Sequence, residues 1–320
     1  MRVLTAFLAL LLSCTPPASA QGFPLTIDHR FGTTTIAQRP ERVASVDLTG
    51  ADDLLALGVQ PVVVREWFGG GPNGLWPWAA PLLDGTPELV DEPLDYERIA
   101  RAAPDLIVAV SSGITARDYD RLSRIAPTVA APEGTGPFAL PWDARARIAG
   151  RAVGREAEAE ARIAAIEARL NALRGAHPGW RGASLSMLFY DGDRFGAYTR
   201  HSPRVDLLRR LGFETTAGVD AATADGATAV DLSLERIDAV DADLVLWLDY
   251  DAFTAVRDLT FRETLTANAQ GREILVEEEL WAALAYSTLL SIPVALDRLA
   301  PRMERAMDGD PATPVTEGAD

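Results

Sequence analysis

The chain of 320 residues contains no lysine, one cysteine and three histidines. Without lysine it cannot form a Schiff base with a carbonyl substrate, and it lacks the residue that contacts phosphate in a P-loop. The single cysteine, Cys14, excludes an internal disulfide, a cysteine-based structural zinc site and an iron–sulfur cluster. Three histidines are too few to predict a histidine-rich metal cage. These absences favour a protein that works by non-covalent binding or by carboxylate chemistry.

Acidic residues are in excess. The chain has 46 aspartates and glutamates against 30 basic residues, all of them arginine, and its formal net charge is −16. That balance excludes the basic surface with which proteins bind nucleic acid, so we expect no nucleic-acid partner. Hydrophobic residues make up 48% of the chain and charged residues 24%, as in ordinary globular proteins. The length corresponds to roughly two domains.

Residues 1–20 have the pattern of a signal peptide. A basic residue precedes Val3–Leu12, an apolar run that is too short to span a bilayer. Two processing sites compete. The small residues Ala18–Ala20 fit cleavage after residue 20, whereas Leu11–Cys14 resembles a lipoprotein box in which Cys14 is lipidated. Either site predicts an exported, periplasmic protein, and the second would also anchor it to a lipid through Cys14.

Short β-branched runs alternate with amphipathic helices along the remaining chain. This alternation predicts an α/β fold, with parallel strands in a sheet covered by helices on both faces. The strand pattern disappears in the middle, where residues 155–176 are rich in the strong helix formers Ala, Glu and Arg. We therefore expect a helix over 155–176 that bridges an N-terminal lobe, 22–154, and a C-terminal lobe, 177–307. The acid- and proline-rich end, residues 308–320, is expected to be disordered.

The two predicted lobes share a short sequence repeat. Glu97-Arg98-Ile99 precedes the buried run Asp105–Val108, and Glu235-Arg236-Ile237 precedes Asp243–Leu246 at the same separation. A helix followed by a buried strand recurs in any α/β chain, but that does not account for Glu-Arg-Ile at a fixed offset. The repeat therefore favours a duplicated lobe. Each glutamate falls in the first turn of a predicted helix, where it would either favour the helix dipole or help to grip an arginine-bearing partner at both ends.

Several short segments match, in order, those of one known family. They are His29–Gly32, Pro40–Val43, Ala56–Val59, Val64–Trp67, Trp76–Trp78, Pro104–Ile107, Tyr286–Ser287, Leu290–Pro293 and Ala295–Leu299. With these segments the chain resembles the substrate-binding proteins of bacterial iron–siderophore ABC importers, the ferric-enterobactin and ferrichrome-binding family. The resemblance covers about residues 29–307.

The resemblance implies a fold and a partner. The fold is two Rossmann-like lobes bridged by one long helix, with a shallow cleft and limited hinge motion. The partner is an ABC importer permease dimer, and the resemblance implies that Glu97 and Glu235 dock its arginine pockets. The stretch Ala222–Ala229 departs from the family, because it has only small and acidic residues where relatives often place an aromatic ligand contact.

The predicted cleft needs a surface that matches a ferric siderophore. Because the siderophore already chelates its iron, we expect no cofactor and no metal ligands from the protein. Aromatic rings would supply flat apolar area, and arginines would supply planar donors for chelate oxygens. In open α/β sheets such residues lie beyond the C-terminal ends of strands. The candidate ligand contacts are Arg65, Trp67, Trp76, Trp78, Ser112, Tyr190, Arg194, Tyr198, Arg200, Arg204, Trp247 and Tyr286.

Some of these candidates also have an ordinary structural explanation. Trp247 lies inside an apolar strand, which favours a place in the core, and Trp76 and Trp78 could cap the N-terminal sheet. Arg204 could pair with a nearby acid. Arg65 is the best supported of the set, because a charge directly after three valines needs a reason.

We therefore predict an exported, monomeric binding protein that captures a ferric siderophore between its lobes and delivers it to an ABC importer. Haem or cobalamin is the alternative ligand, since Tyr190, Tyr198 or Tyr286 could serve as an axial haem ligand. A secreted α/β enzyme is a remote alternative. The chain has no G-x-S-x-G elbow, and its Gly69–Gly71 run is followed by proline, which indicates a loop and not a phosphate cradle. We expect no enzymatic activity.

Overall fold

The computed structural model describes residues 22–315 apart from 72, 137, 191–193, 250–255 and 257–258. The predicted signal peptide, with Cys14, lies outside the described residues. The strands are β1 (Leu25–His29), β2 (Gly32–Ile36), β3 (Val43–Ser45), β4 (Pro61–Arg65), β5 (Glu88–Val90), β6 (Leu106–Ala109), β7 (Thr128–Ala130), β8 (Ser184–Tyr190), β9 (Phe195–Tyr198), β10 (Glu214–Thr215), β11 (Ala229–Asp231), β12 (Leu244–Asp249) and β13 (Glu273–Val276).

Helices connect and cover these strands. The α-helices are α1 (Asp52–Ala56), α2 (Tyr96–Arg101), α3 (Ala116–Leu122), α4 (Trp142–Ala152), α5 (Glu156–Ala176), α6 (Pro203–Arg210), α7 (Ala217–Ala222), α8 (Thr266–Ala269), α9 (Glu278–Tyr286) and α10 (Ser291–Ala306). The 3₁₀ helices are Ala80–Leu82, Pro178–Trp180, Leu234–Val240 and Thr260–Thr264. None of the helices in the described part of the chain is long and apolar enough to cross a membrane.

The first lobe is built on a five-stranded parallel sheet in the order β5-β4-β3-β6-β7. Strand β6, beside the central strand β3, is buried along its whole length, as expected for a parallel strand that is covered on both faces. An antiparallel hairpin of β1 and β2 precedes this sheet. The strand order reverses between β3 and β6, which places a topological switch point there.

The second lobe repeats the strand order of the first. Its sheet runs β11-β9-β8-β12-β13, with the short β10 beside the start of β8. Strands β8, β12 and β13 are parallel, whereas β9 is antiparallel to β8. The antiparallel β9 departs from the parallel order that strand–helix alternation predicts, because the link between β8 and β9 has too few residues for a crossover helix. The predicted α/β class with two lobes is confirmed.

The long helix lies between the two sheets in the chain. Helix α5 has 21 residues, so it is about 32 Å long at 1.5 Å per residue. Gly154, with φ +65°, separates it from α4, and its buried face carries Ile163, Ile166 and Leu170. These are the apolar positions that the sequence spacing predicts for a packed helix face.

The predicted disorder of residues 308–320 is wrong for residues 308–315. Val315 is buried, and the side chain of Arg305 donates to its carbonyl oxygen at 3.3 Å. Thr313 Oγ1 donates to Asp308 at 2.7 Å, and Pro311 lies against Gly271. Composition alone does not reveal that one valine ties the stretch to the core.

Candidate functional site

A cavity of about 160 Å³ lies at the switch point of the first lobe, where ligands of open α/β sheets bind. Leu48 follows β3 and Ser111 follows β6, so the two strands that flank the switch point both reach it. The opposite wall comes from the second lobe. We call this space the N-lobe cavity; its lining residues are Leu48, Thr49, Trp67, Ser111, Phe138, Leu140, Arg145, Tyr198, Pro203, Arg204, Thr228, Ala285 and Tyr286.

A second cavity, of about 210 Å³, lies at the corresponding switch point of the second lobe. Phe189 and Tyr190 end β8 there, and Leu248 lies near the end of β12. Its other lining residues are Arg194, Tyr198, Ala229 and Trp281. Because Tyr198 lines both spaces, this C-lobe cavity adjoins the N-lobe cavity, and together they form the cleft.

A larger space, about 890 Å³, is a groove that flanks the cleft and shares Pro203 with the N-lobe cavity. Its walls are mainly small or polar, including Gly134, Gly136, Gly226 and Ala227. Part of the aromatic-free stretch Ala222–Ala229 lies here, so the groove is wide because its walls lack large side chains. We place the candidate site in the cleft, where aromatic and cationic groups converge.

Aromatic residues form the first-lobe wall of the cleft. The rings of Trp67 and Phe138 are parallel within 4°, with centroids 6.2 Å apart, and Tyr286 lies 5.9 Å from Trp67. Trp76 and Trp78 stack on each other at 5.3 Å behind them. Trp76 is buried, and neither it nor Trp78 lines the two cleft cavities, so this pair supports the wall.

Arginines stand on aromatic rings along the second-lobe wall. The guanidinium carbon of Arg204 lies 4.7 Å from the ring centroid of Tyr198, and that of Arg194 lies 5.7 Å from Phe189. Both distances are in the range of cation–π attraction. Arg194 also pairs with Asp231 at 2.8 Å. Arg200 is directed elsewhere: it lines the flanking groove and pairs with Asp220.

Three candidate contacts prove to be structural, which corrects the prediction for each. Arg65 is 5% exposed; its guanidinium pairs with Glu92 and donates at 2.8 Å to the carbonyl of Ser112. The buried hydroxyl of Ser112 donates to the carbonyl of Ala109. Trp247 is 1% exposed, and its indole donates to Glu273 at 2.7 Å. The charge after three valines ties loops together at the strand ends.

Beneath the cleft, two buried acids of α1 link the first lobe to the turn that follows α9. Asp53 accepts from Arg145 Nε at 2.7 Å and from the amide of Leu289 at 3.0 Å. Arg145, 3% exposed, also donates to the carbonyl of Ser287 at 2.5 Å. Asp52 accepts from Thr288 Oγ1 at 2.7 Å. This network, which we call the buried joint, fixes the turn that follows Tyr286 against the first lobe.

Burial raises the pKa of Asp52 from 3.8 to about 7, although hydrogen bonds from Thr288 and Trp78 and the charge of Arg145 oppose the shift. The native state therefore binds more protons at this site than the unfolded state between about pH 4 and pH 7. The stabilisation that comes from protonating Asp52 in the folded state is present at low pH and is lost as the pH rises through 7.

We predict that Asp52→Asn raises stability more at pH 8 than at pH 5, because the variant has no charge to bury. The difference between the two pH values should be about 2–4 kcal/mol in the free energy of unfolding, measured by urea denaturation. The exposed Asp84→Asn is the control and should show no such difference. An Asp52→Asn effect that is equal at both pH values would contradict the assignment.

The repeated glutamates occupy equivalent places in the two lobes. Glu97 lies in α2, between β5 and β6, and Glu235 lies in the 3₁₀ helix between β11 and β12. If the β1–β2 hairpin and the short β10 are left out of the count, both connections run from the third to the fourth strand of a lobe. Both side chains are exposed. The two helices differ in type, since the second contains a kink at Arg236.

Other members of the repeat have structural roles. Asp105 accepts from the amides of Glu41 and Arg42 ahead of β3, and Asp243 accepts from the amide of Ser184 at the start of β8. Each aspartate thus fixes the entry of its lobe's first strand, and Ile99 is fully buried. These contacts account for the repeated aspartates and for Ile99, but not for the exposed glutamates.

Sequence reasoning missed several cleft residues. Arg145 comes from a stretch without strand signal and Phe138 from the loop before that stretch, so no strand end marked either residue as a candidate. Phe189 precedes Tyr190, and alternation of side chains along β8 could have indicated one of the pair. Trp281 lies on α9 and reaches the C-lobe cavity from a helix. Within the described ranges, no three His, Cys, Asp or Glu side chains are grouped so as to hold a metal ion.

Comparisons with known proteins extend this picture. A model of the periplasmic binding protein family matches residues 43–284. A periplasmic solute binding protein from Mycobacterium smegmatis MC2 155 is 34% identical, with a TM-score of 0.78, over 88% of this chain and 98% of that one. PiaA of Streptococcus pneumoniae TIGR4, an iron uptake ABC transporter substrate-binding protein solved with ferrichrome, is 28% identical, with a TM-score of 0.76, over 89% and 99%.

A more distant structure shares the fold. SirA of Staphylococcus aureus, solved with staphyloferrin B, is 23% identical, with a TM-score of 0.72, over 89% of this chain and 98% of that one. No curated protein matches the chain. The predicted family resemblance is confirmed.

Proposed function

The chain belongs to the periplasmic binding protein family, and from this premise we propose that its cleft binds a ferric siderophore for delivery to an ABC importer. The protein acts as an exported monomer that binds its ligand without chemical change. PiaA, which is similar over nearly its whole length, was solved with ferrichrome, which supports a ligand of this class.

The observation that carries the proposal is the meeting of the two switch-point cavities at Tyr198. One wall is aromatic, with Trp67 and Phe138, and the other bears Arg194 and Arg204 on aromatic rings. A ferric siderophore offers both matching features, an apolar or aromatic frame and a shell of anionic oxygens around the iron. Arginine donors and aromatic faces suit that combination.

The net charge of the chain also favours a cleft with one positively charged wall. A net charge of −16 repels an anionic chelate at long range, so the cleft must be positive locally. Arg204 supplies positive charge on the second-lobe wall, where the charge of Arg194 is balanced by Asp231. Since the cleft binds the chelate and not the bare ion, the protein supplies no iron ligand.

Delivery requires a permease, and we assign its docking to Glu97 and Glu235. Each is exposed in the third-to-fourth strand connection of its lobe, so the two carboxylates mark equivalent points of a duplicated surface. Two like charges at such points suit a dimeric partner with an arginine pocket in each half.

A fluorescence titration distinguishes the proposal from haem binding. We expect saturable quenching of tryptophan fluorescence by a ferric siderophore at one equivalent, because Trp67 and Trp281 line the cleft and a ferric chelate absorbs light. Trp67→Phe keeps an aromatic ring and should lose much of the quenching but little affinity. A Soret shift with haemin, together with no response to any ferric siderophore, would overturn the proposal in favour of haem.

A further inference from the structure

We propose that the N-lobe cavity is a subsite for one aromatic ring, so that the preferred ligand is a siderophore with aryl iron-binding groups, such as catecholates. The inference rests on the proposed function and narrows its ligand class. It predicts discrimination against chelates whose iron-binding groups carry no ring, such as hydroxamates and hydroxycarboxylates.

The size of the cavity is that of a single arene. Its volume is about 160 Å³. An apolar cavity of about 150 Å³ engineered into another protein binds benzene, so this space admits one six-membered ring and little more. The C-lobe cavity and the flanking groove adjoin it, which leaves room for the iron and the rest of a larger chelate.

Aromatic faces make up the cavity's main walls. Trp67 and Phe138 present parallel rings, and Tyr286 closes a third side at 5.9 Å from Trp67. Aliphatic contacts come from Leu48 and Leu140. An aryl ring gains apolar and aromatic contact area against these groups, which a hydroxamate or carboxylate without a ring does not gain.

Phe138 is placed as a binding residue and not as a core residue. Its side chain is 46% exposed, unlike most large apolar side chains in the described part of the chain. Its backbone has φ +56°, a left-handed conformation that residues with a β-carbon rarely adopt. Unusual backbone and an exposed ring together, at the mouth of a cavity, are features of ligand-binding sites.

Polar groups at the cavity suit phenolate oxygens. Arg204 lines it with its guanidinium over Tyr198, and Thr49 and Ser111 also line it. A catecholate ring packed against Trp67 and Phe138 could direct its oxygens to Arg204, which donates planar, charge-assisted hydrogen bonds. The iron would then lie toward the junction of the two cavities at Tyr198.

The test compares Phe138→Ala with the wild-type chain against a ferric triscatecholate and ferrichrome, a trihydroxamate, by fluorescence titration. We expect the variant to bind the catecholate about 10-fold more weakly, and ferrichrome less than about 3-fold more weakly, since one aromatic contact is lost. Phe138→Trp should restore the catecholate affinity. Leu82→Ala, which removes an apolar side chain of similar exposure (43%) outside the cleft, is the control and should change neither.

Two results would overturn the inference while leaving the proposed function intact. One is an equal loss for both chelates in Phe138→Ala. The other is tighter binding of ferrichrome than of any aryl chelate by the wild-type chain. Failure of every ferric chelate to bind would overturn both the inference and the proposed function.

Discussion

Replacing both Glu97 and Glu235 by alanine is expected to reduce import of the ferric siderophore at least 100-fold, while the dissociation constant of the ligand stays unchanged. Removing one partner of a buried interfacial charge pair costs about 2–5 kcal/mol, and each 1.4 kcal/mol is a factor of about ten. Two lost pairs therefore suffice to abolish productive docking. Each single variant should have an intermediate effect.

The measurement is uptake of radioactive iron by cells that carry the cognate permease, with ligand affinity measured separately on the purified variant. The exposed Glu41 and Glu263, one in each lobe, provide a matched double variant with the same change in net charge. It should import at nearly the wild-type rate. Equal import by the two double variants, or a loss of ligand affinity in Glu97→Ala/Glu235→Ala, would contradict the docking role.

Arg145→Ala is expected to reduce the free energy of unfolding by about 3–5 kcal/mol, because it removes the ion-pair partner of the buried Asp53 carboxyl group. It also removes the donor to the carbonyl of Ser287, at the turn that follows Tyr286. The loss should be visible in urea denaturation at neutral pH.

Arg147 provides the control, since it lies on the same helix and pairs with Asp143 and Glu160 at the surface. Arg147→Ala should cost no more than about 1 kcal/mol. Replacing Arg145 and Asp53 together by leucine should recover part of the loss, because the unpaired charge is then removed as well. Similar costs for Arg145→Ala and Arg147→Ala would contradict a structural role for the buried joint.

Local patterns predicted most of the architecture. The helix over 155–176 follows from composition, and the structure has it within one residue. The repeat predicted equivalent lobes, and the shared strand order agrees with it. These features depend on neighbours in the sequence, which is why they could be read without a structure.

The site was harder to predict because its chemistry depends on partners far apart in the chain. Arg65 was expected to face a ligand, but Glu92 and the carbonyl of Ser112 take up its charge. Nothing near Phe138 in the sequence indicates that its ring lies parallel to Trp67. Charge and burial identify a candidate from sequence, but only tertiary contacts distinguish a binding group from a structural one.

The central claim is that the cleft holds one ferric siderophore, and equilibrium dialysis against radioactive iron in catecholate, hydroxamate and hydroxycarboxylate chelates tests it most directly. We predict that the protein retains one iron per chain with at least one chelate, and that it retains no iron supplied without a chelator. The double variant Trp67→Ala/Tyr198→Ala should lose that retention. The claim is contradicted if no chelate delivers retained iron, or if the double variant retains as much as the wild-type chain.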